Sequence, residues 1–304
     1  MPKTQDASSK KAKTKNTDNK SLRKTKQPHQ PLPSSLREGG MVRSFCKSTA
    51  EKSLRNRLLT LANKYETPSF LNGDPSWFMH QVDGGQNKEV MAFMAACSSY
   101  GSRKVFMPRI QFLLDCAKGN PYEWIVKEGF RRDIPDNSAC FYRLYTNHTM
   151  HSFFSVLAEM LNRYGSIAEY IKHFASEKNG EITDKIEAIV AIEAMCAFFA
   201  ERQVVGIVPK NTSSSCKRVC MFLRWLVRND SPVDLGIWHD FIDKRSLIIP
   251  LDTHVLQQAT HLKLLNTSSA TMSVARRLTD TLLKVFPDDP LKGDFALFGY
   301  GINS

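Results

Sequence analysis

Residues 212–227 read TSSSCKRVCMFLRWLV, and this stretch decides the fold class because it is typical of a buried or strongly amphipathic α-helix. Hydroxyl residues that favour helix N-caps precede apolar side chains at helical spacing. Lys217 is then expected in the first turn. The partial positive charge of the helix N-terminus and the charge of Arg218 disfavour its ammonium form, as a nucleophilic amine requires. A solvated surface lysine is the alternative interpretation, since lysine is seldom buried.

A second helix start is predicted at residues 250–254, PLDTH. Asp252 precedes apolar residues at helical spacing and is therefore a natural N-cap. Capping alone accounts for an aspartate here. The same position also keeps a carboxylate ionised and fixed in direction, which suits stabilisation of a cationic transition state. Both interpretations stay open, and His254 is expected to be a structural histidine. Together, Lys217 and Asp252 form a pair that could support Schiff-base chemistry.

Helical periodicity dominates the rest of the chain and predicts an all-α fold. Alternating strand patterns are hard to find, and no internal repeat is present. Further helices are predicted at residues 54–62, 90–97, 105–117, 153–161, 167–174, 186–199, 271–286 and 291–298.

The order of these motifs resembles the helix-hairpin-helix DNA glycosylases, in which a catalytic lysine precedes a helix-capping aspartate in a V-D-T-H-V-like motif. The spacing from Lys217 to Asp252 is most similar to the archaeal 8-oxoguanine glycosylase branch. Near the C-terminus, residues 294–298, DFALF, resemble a segment that recognises the flipped base. By this similarity Asp294 would read the base edge and Phe298 would stack on it. Tyr100 is a further candidate for base stacking.

The resemblance covers about residues 50–304. Residues 87–101 and 231–238 are also similar to an uncharacterised bacterial family assigned to this superfamily. The resemblance to the glycosylases implies a multi-helix fold in residues 45–304, with two helical subdomains flanking a cleft. It also implies that the active-site lysine and aspartate lie in residues 209–265.

Two features depart from the glycosylase pattern. The usual glycine-rich hairpin before the lysine is replaced by residues 209–215, PKNTSSS, and the four-cysteine iron–sulfur loop of one branch is absent from the sequence. The backbone N–H groups of the helix start would still attract phosphate. The predicted DNA-binding residues are Lys210, Thr212, Ser213, Ser214 and Arg218.

Composition is that of a globular chain with a basic extension. The 304 residues carry a net charge of +12, and eight of these charges lie in residues 1–44. This lysine-rich, apolar-poor tail is predicted to be disordered and is either a solubilising extension or an arm for polyanions. The seven cysteines form no C-x-x-C pair, which argues against a disulfide framework or a zinc site.

The sequence therefore predicts a DNA repair glycosylase with AP lyase activity that excises a damaged base, an oxidised purine by the resemblance, through a lysine Schiff base. No metal or cofactor is expected. The partner is damaged duplex DNA, bound without sequence preference; the oligomeric state stays open, with a monomer favoured. No membrane span or secretory signal is predicted, so we expect a cytoplasmic protein, with nucleoid association left open. Two alternatives stand: a non-catalytic DNA-binding module of the same fold, and a helical scaffold for protein partners.

Overall fold

The computed structural model of the chain describes residues 49–180, 184–204 and 206–302. The predicted basic tail, residues 1–44, lies outside these ranges. The described residues belong to one compact unit and are predominantly helical, so the all-α prediction is confirmed. The α-helices of the described part are α1 (Thr49–Tyr65), α2 (Gly85–Ser98), α3 (Arg103–Ala117), α4 (Pro121–Val126), α5 (Phe130–Asp133), α6 (Asn147–Tyr164), α7 (Ile167–Asn179), α8 (Ala188–Glu201), α9 (Lys217–Val227), α10 (Thr253–His261), α11 (Met272–Leu283) and α12 (Lys292–Ile302).

Short elements complete the described fold. Strands β1 (Cys140–Tyr142) and β2 (Tyr145–Thr146) form an antiparallel hairpin in which Tyr142 pairs with Tyr145. The sequence pattern did not predict it because each strand is too short to show alternation. Short 3₁₀ helices are found at Pro68–Leu71, Pro75–His80 and Lys244–Ser246.

The core is centred on α2 and α9, which pack against each other. Residues 89–98 of α2 are all buried, and residues 90–97 among them are all apolar, as expected for a central core helix. α9 buries its face from Val219 to Val227 and ends at Arg228, the C-cap residue. Lys217 is the first residue of α9 and therefore projects from this central pair.

Helices from the two ends of the chain pack together beside this core. α1 contacts α12, and α12 also contacts α10. The N-terminal α1 and the C-terminal α10 and α12 thus form one helical group, and α2, α3 and α9 form the other. Both groups belong to the same compact unit, and the candidate site lies where they meet.

Three predicted helices begin later than expected, α8 by about two residues and α11 and α12 by one each. Helix α8 starts at Ala188 rather than Ile186, because Ile186 is held in extended backbone. Its N–H donates to the carbonyl of Phe241, and its carbonyl accepts from the N–H of Asp243. A tertiary contact therefore overrides the local helical periodicity at this residue. Among the described residues, no helix combines the length and apolar character needed to cross a membrane.

Candidate active site

The two predicted helix starts meet in the folded chain. Nζ of Lys217 lies 2.9 Å from Oδ2 of Asp252, with the lysine at the first position of α9 and the aspartate at the N-cap of α10. Both side chains are partly exposed, at 36% and 28%. The lysine is therefore neither a free surface residue nor a sealed core residue, and it keeps access to a ligand while paired with a carboxylate.

Asp252 caps its helix with its own side chain. Its Oδ1 accepts from the backbone N–H of Val255 at 2.9 Å, and the ion pair with Lys217 uses the other oxygen, Oδ2. The predicted N-cap is confirmed. Helix capping and the ion pair with Lys217 thus use different oxygens of the same carboxylate.

The start of α9 is built differently from the predicted hydroxyl cap. The N-cap residue is Cys216, in left-handed backbone with φ 47°, and it makes no side-chain cap hydrogen bond. The prediction that a serine or threonine caps this helix is wrong. The physical reason is that Ser215 is buried and its Oγ donates to the carbonyl of Leu251 at 2.8 Å. That bond ties the residue two before Lys217 to the residue before Asp252.

The electrostatics of the pair favour an ionised aspartate. Burial acts to raise the pKa of Asp252, but the charge and hydrogen bond of Lys217 and the N–H of Val255 outweigh it, and the net pKa is lowered. A carboxylate with a lowered pKa stays anionic at neutral pH and can stabilise positive charge that develops beside it.

Lys217 and Asp252 open into a cavity of about 430 Å³. This volume lies within the usual range for small-molecule sites, about 300–1,000 Å³. Charged and aromatic side chains of the cavity wall come from both helical groups and from the segment between α1 and α2, and they include Phe70, Asp74, Arg103, Arg224, Asp294 and Phe298. The structure therefore brings together four residues predicted from the sequence: Lys217, Asp252, Asp294 and Phe298.

A stripe of α9 faces this cavity. Lys217, Met221 and Arg224 are four and then three residues apart, so they lie on one side of the helix, and all three line the cavity. Sequence reasoning missed Arg224. The available signal was a single arginine inside the apolar run Phe222 to Val227, because a charged residue on a buried helix face needs a buried partner.

That partner is Asp294. Nη1 of Arg224 lies 2.5 Å from Oδ2 of Asp294, and both side chains are largely buried, at 6% and 14% exposed. Burial raises the pKa of Asp294, and the charge and hydrogen bond of Arg224 oppose this rise. Asp294 is thus a carboxyl group at the cavity wall, directed by an arginine from another helix.

Phe298 contributes an aromatic wall. Its ring contacts those of Phe70 and Tyr65 edge to face, with centroids 4.9 Å and 5.9 Å away. The guanidinium carbon of Arg103 lies 5.8 Å from the same ring. Phe298 is fixed by these contacts and still lines the cavity, so the ring is held in place before any ligand arrives.

Tyr100 lies beside the cavity and not among the described residues that line it. The guanidinium carbon of Arg143 is 4.9 Å from its ring centroid, and its carbonyl accepts a hydrogen bond from the Tyr142 hydroxyl. The neighbouring Leu144, at the turn of the β1–β2 hairpin, is 77% exposed. The hairpin therefore places Arg143 against Tyr100, which sequence reasoning did not detect.

The predicted DNA-binding residues precede α9 or lie in its first turn. Lys210, Ser213 and Ser214 are exposed, and Thr212 is half-buried. Arg218 is directed inward instead: it donates to the carbonyls of Gly206 at 2.7 Å and Cys97 at 3.2 Å, and also to the Tyr145 hydroxyl. Its hydrogen bonds brace the hairpin and the α2 C-terminus against α9.

A buried ion cluster lies at the far end of α9. Arg228 is 1% exposed, and its guanidinium binds Asp289 at 2.8 Å, Asp234 at 2.5 Å and Glu66 at 2.5 Å. These carboxylates come from the segments that follow α1, follow α9 and precede α12. One arginine thus joins the segments after α1 and before α12 to the helix that carries Lys217.

The comparison with protein families identifies the family of this chain. Residues 74–303 match the model of a family described as a protein of unknown function, DUF2400. Because the match spans most of the sequence, the chain belongs to this family. No curated protein and no solved structure shows a significant match.

Proposed function

We propose that this protein is a DNA glycosylase with AP lyase activity that removes a damaged base through a Schiff base on Lys217. The observation that carries the proposal is the 2.9 Å contact between Nζ of Lys217 and Oδ2 of Asp252 inside a ligand-sized cavity. An amine nucleophile beside a fixed carboxylate is the arrangement that attack on a sugar carbon requires.

The chemistry follows from the two groups. The bond from C1′ to the base breaks, and the electron pair leaves with the base. One proton of the Lys217 ammonium passes to the departing base through Asp252, and Nζ forms the new bond to C1′. A second proton passes to O4′ as the sugar ring opens, leaving an iminium between C1′ and Nζ. Throughout, the Asp252 carboxylate stabilises the positive charge on the sugar.

The cavity walls support recognition of an extruded base. Enzymes that act on a base in duplex DNA must take it out of the stack and hold it in a pocket. Phe298 offers a ring face or edge, and Asp294 offers a carboxylate oxygen to an N–H group. An oxidised purine carries an additional N–H at N7, and we assign this class of base as the substrate.

The motif order supports placing the family among the helix-hairpin-helix glycosylases. The cavity joins the lysine, the capping aspartate and the C-terminal segment that the resemblance singles out. The proposed partner is damaged duplex DNA, bound by a monomer in the cytoplasm. The exposed Lys210, Ser213 and Ser214 are the proposed phosphate contacts.

The test is borohydride trapping on duplexes that carry a single 8-oxoguanine or a preformed abasic site. Wild-type protein should be trapped covalently because borohydride reduces the iminium to a stable amine. Lys217→Arg is the matched control: it keeps the positive charge beside Asp252 but is not nucleophilic, and it should give no trapped product. If the wild-type protein is trapped on neither of the two duplexes, the glycosylase–lyase proposal is wrong.

A non-catalytic DNA-binding module is the second candidate. The observation that favours it is the segment before α9, where residues 209–215 replace the glycine-rich hairpin and Arg218 is engaged within the protein. This candidate predicts salt-dependent duplex binding with no trapped product and no change in affinity on Lys217→Arg.

A further inference from the structure

Arg224 is a residue of the cavity wall that the proposed chemistry does not use. Arg224 is a buried arginine in the cavity wall, two helical turns after Lys217 on the same face of α9. It contacts neither Lys217 nor Asp252 among the ion pairs of the described residues, and its short contact is to Asp294. A buried guanidinium is costly unless its partners are well placed, so its position needs an explanation.

The geometry around Arg224 is fixed on three sides. Nη1 binds Oδ2 of Asp294 at 2.5 Å, and Nε lies 3.4 Å from Oδ1 of Asp234. Its guanidinium carbon lies 4.8 Å from the ring centroid of Phe295. These contacts engage Oδ2 of Asp294, and no ion pair of the described residues uses its Oδ1, while Asp294 itself lines the cavity.

We propose that Arg224 is the positioning residue that makes Asp294 an obligate hydrogen-bond acceptor, so that the cavity selects bases presenting an N–H group on the edge that faces Asp294. A carboxylate accepts at both oxygens, whereas a carboxylic acid would also donate and would tolerate a base with an unprotonated ring nitrogen. This inference rests on the proposed function and names its specificity device.

The physical argument lies in the environment of Asp294. Burial raises its pKa and favours the neutral acid, and Arg224 provides the largest opposing effect. Without the arginine, the acid form gains population at neutral pH, and the side chain also loses the contact that fixes its direction. Acceptor character and orientation would therefore be lost together, and the loss of acceptor character would depend on pH.

The experiment compares excision of 8-oxoguanine with trapping on a preformed abasic site, using the full-length chain and the same protein preparations. Abasic-site trapping needs Lys217 and a folded cavity but no base recognition. For Arg224→Met, the ratio of the lesion reaction to the abasic-site reaction should fall by about tenfold to 100-fold, because a charge-assisted hydrogen bond to the base is lost. Arg224→Lys keeps the charge and should restore most of the ratio.

The pH profile distinguishes positioning from a structural role. In Arg224→Met the ratio should recover as the pH is raised from about 6 to about 9, because Asp294 becomes ionised again. Asp294→Asn has no ionisable group, so its low ratio should show no such recovery. A pH-independent loss in Arg224→Met would overturn the proposal and assign Arg224 to structure alone.

Arg202→Met is a matched control. Arg202 also pairs with a carboxylate, Glu159 at 2.6 Å, and lies over a phenylalanine ring, that of Phe198, but it does not line the cavity. Its ratio should equal that of the wild type. An unchanged ratio in Arg224→Met would overturn the positioning role of Arg224 and leave the proposed function standing. If the wild-type protein fails to react with the abasic duplex, the proposed function is wrong, and the role of Arg224 is lost with it.

Discussion

The starts of α9 and α10 carry the two proposed catalytic residues but are stabilised in opposite ways. Asp252 caps α10 with its own side chain, whereas α9 begins after a left-handed Cys216 with no side-chain cap. The aspartate is held by local hydrogen bonding, and the lysine is held by a tertiary bond from Ser215 to Leu251. The helix cap at Asp252 could thus be placed from the sequence, while its contact with Lys217 depends on the fold.

The start of α7 is a third case. Its Ser166 N-cap accepts from the N–H of Glu169, and the remaining N–H groups of Ile167 and Ala168 donate to Glu89 of α2, at 2.7 Å and 3.1 Å. Burial raises the pKa of Glu89 from 4.5 to about 7, although these bonds and that of Trp238 lower it. Two carboxylates at helix starts therefore have pKa values shifted in opposite directions, because Glu89 is buried deeply and has no cationic partner among its hydrogen bonds.

The largest expected effect is at the other end of α9. Arg228→Met leaves Asp234, Asp289 and Glu66 without their shared buried cation, and unfolding free energy should fall by roughly 3–5 kcal/mol. Urea unfolding followed by circular dichroism measures the loss. Arg202→Met, which breaks a more exposed pair with Glu159, should cost no more than about 1 kcal/mol. Equal losses in the two variants would contradict the anchoring role of Arg228.

The pH dependence of stability should reveal Glu89. Its pKa is higher in the folded chain than in the unfolded chain, so the folded state binds the proton more tightly. Its stabilising contribution is complete below the usual value of 4.5 and is lost as pH rises through about 7. The expected loss is on the order of 3 kcal/mol across this window.

Glu89→Gln isolates this effect. Glutamine remains uncharged at every pH. Between about pH 5 and about pH 8, the unfolding free energy should therefore decline less in the variant than in the wild type. Parallel curves for the two proteins would show that Glu89 does not titrate in this range.

Substitutions of Asp252 separate capping from charge. Asparagine caps a helix about as well as aspartate, so Asp252→Asn should keep α10 intact while borohydride trapping falls by about 100-fold, near 2.7 kcal/mol, through loss of the anion. Asp252→Ala loses the cap as well, and its unfolding free energy should be about 1 kcal/mol below that of Asp252→Asn. If Asp252→Asn is trapped at the wild-type rate, the charge of Asp252 does not contribute to the reaction and the residue acts only as a helix cap.

The smallest expected effect concerns the bond that aligns the two helix starts. Ser215→Ala leaves the buried Leu251 carbonyl without its donor, so unfolding free energy should fall by about 1–2 kcal/mol, and the trapping rate should fall with it. Ser213→Ala, a serine in the same loop that is exposed, should unfold like the wild type. An unchanged trapping rate in Ser215→Ala would show that other contacts align Lys217 with Asp252.

Sequence reasoning was most accurate where the determinants were local. Apolar spacing placed α9 and the aspartate cap of α10, and the all-α class followed from the same periodicity. It was wrong at the serine run, because the local preference of Ser215 for capping yields to a bond with Leu251. It missed the β1–β2 hairpin, whose strands are too short to show a pattern, and Arg224, whose partner lies in another helix.

The sequence by itself therefore determined the helical class, the first-turn position of Lys217 and the capping role of Asp252, since each depends on neighbours within a few residues. Only the tertiary structure decided that Lys217 contacts Asp252, that Asp294 is bound by Arg224 and that Arg218 is directed inward. The physical reason is that ion pairs and buried hydrogen bonds join residues distant in the chain, and their partners are selected by packing rather than by local spacing.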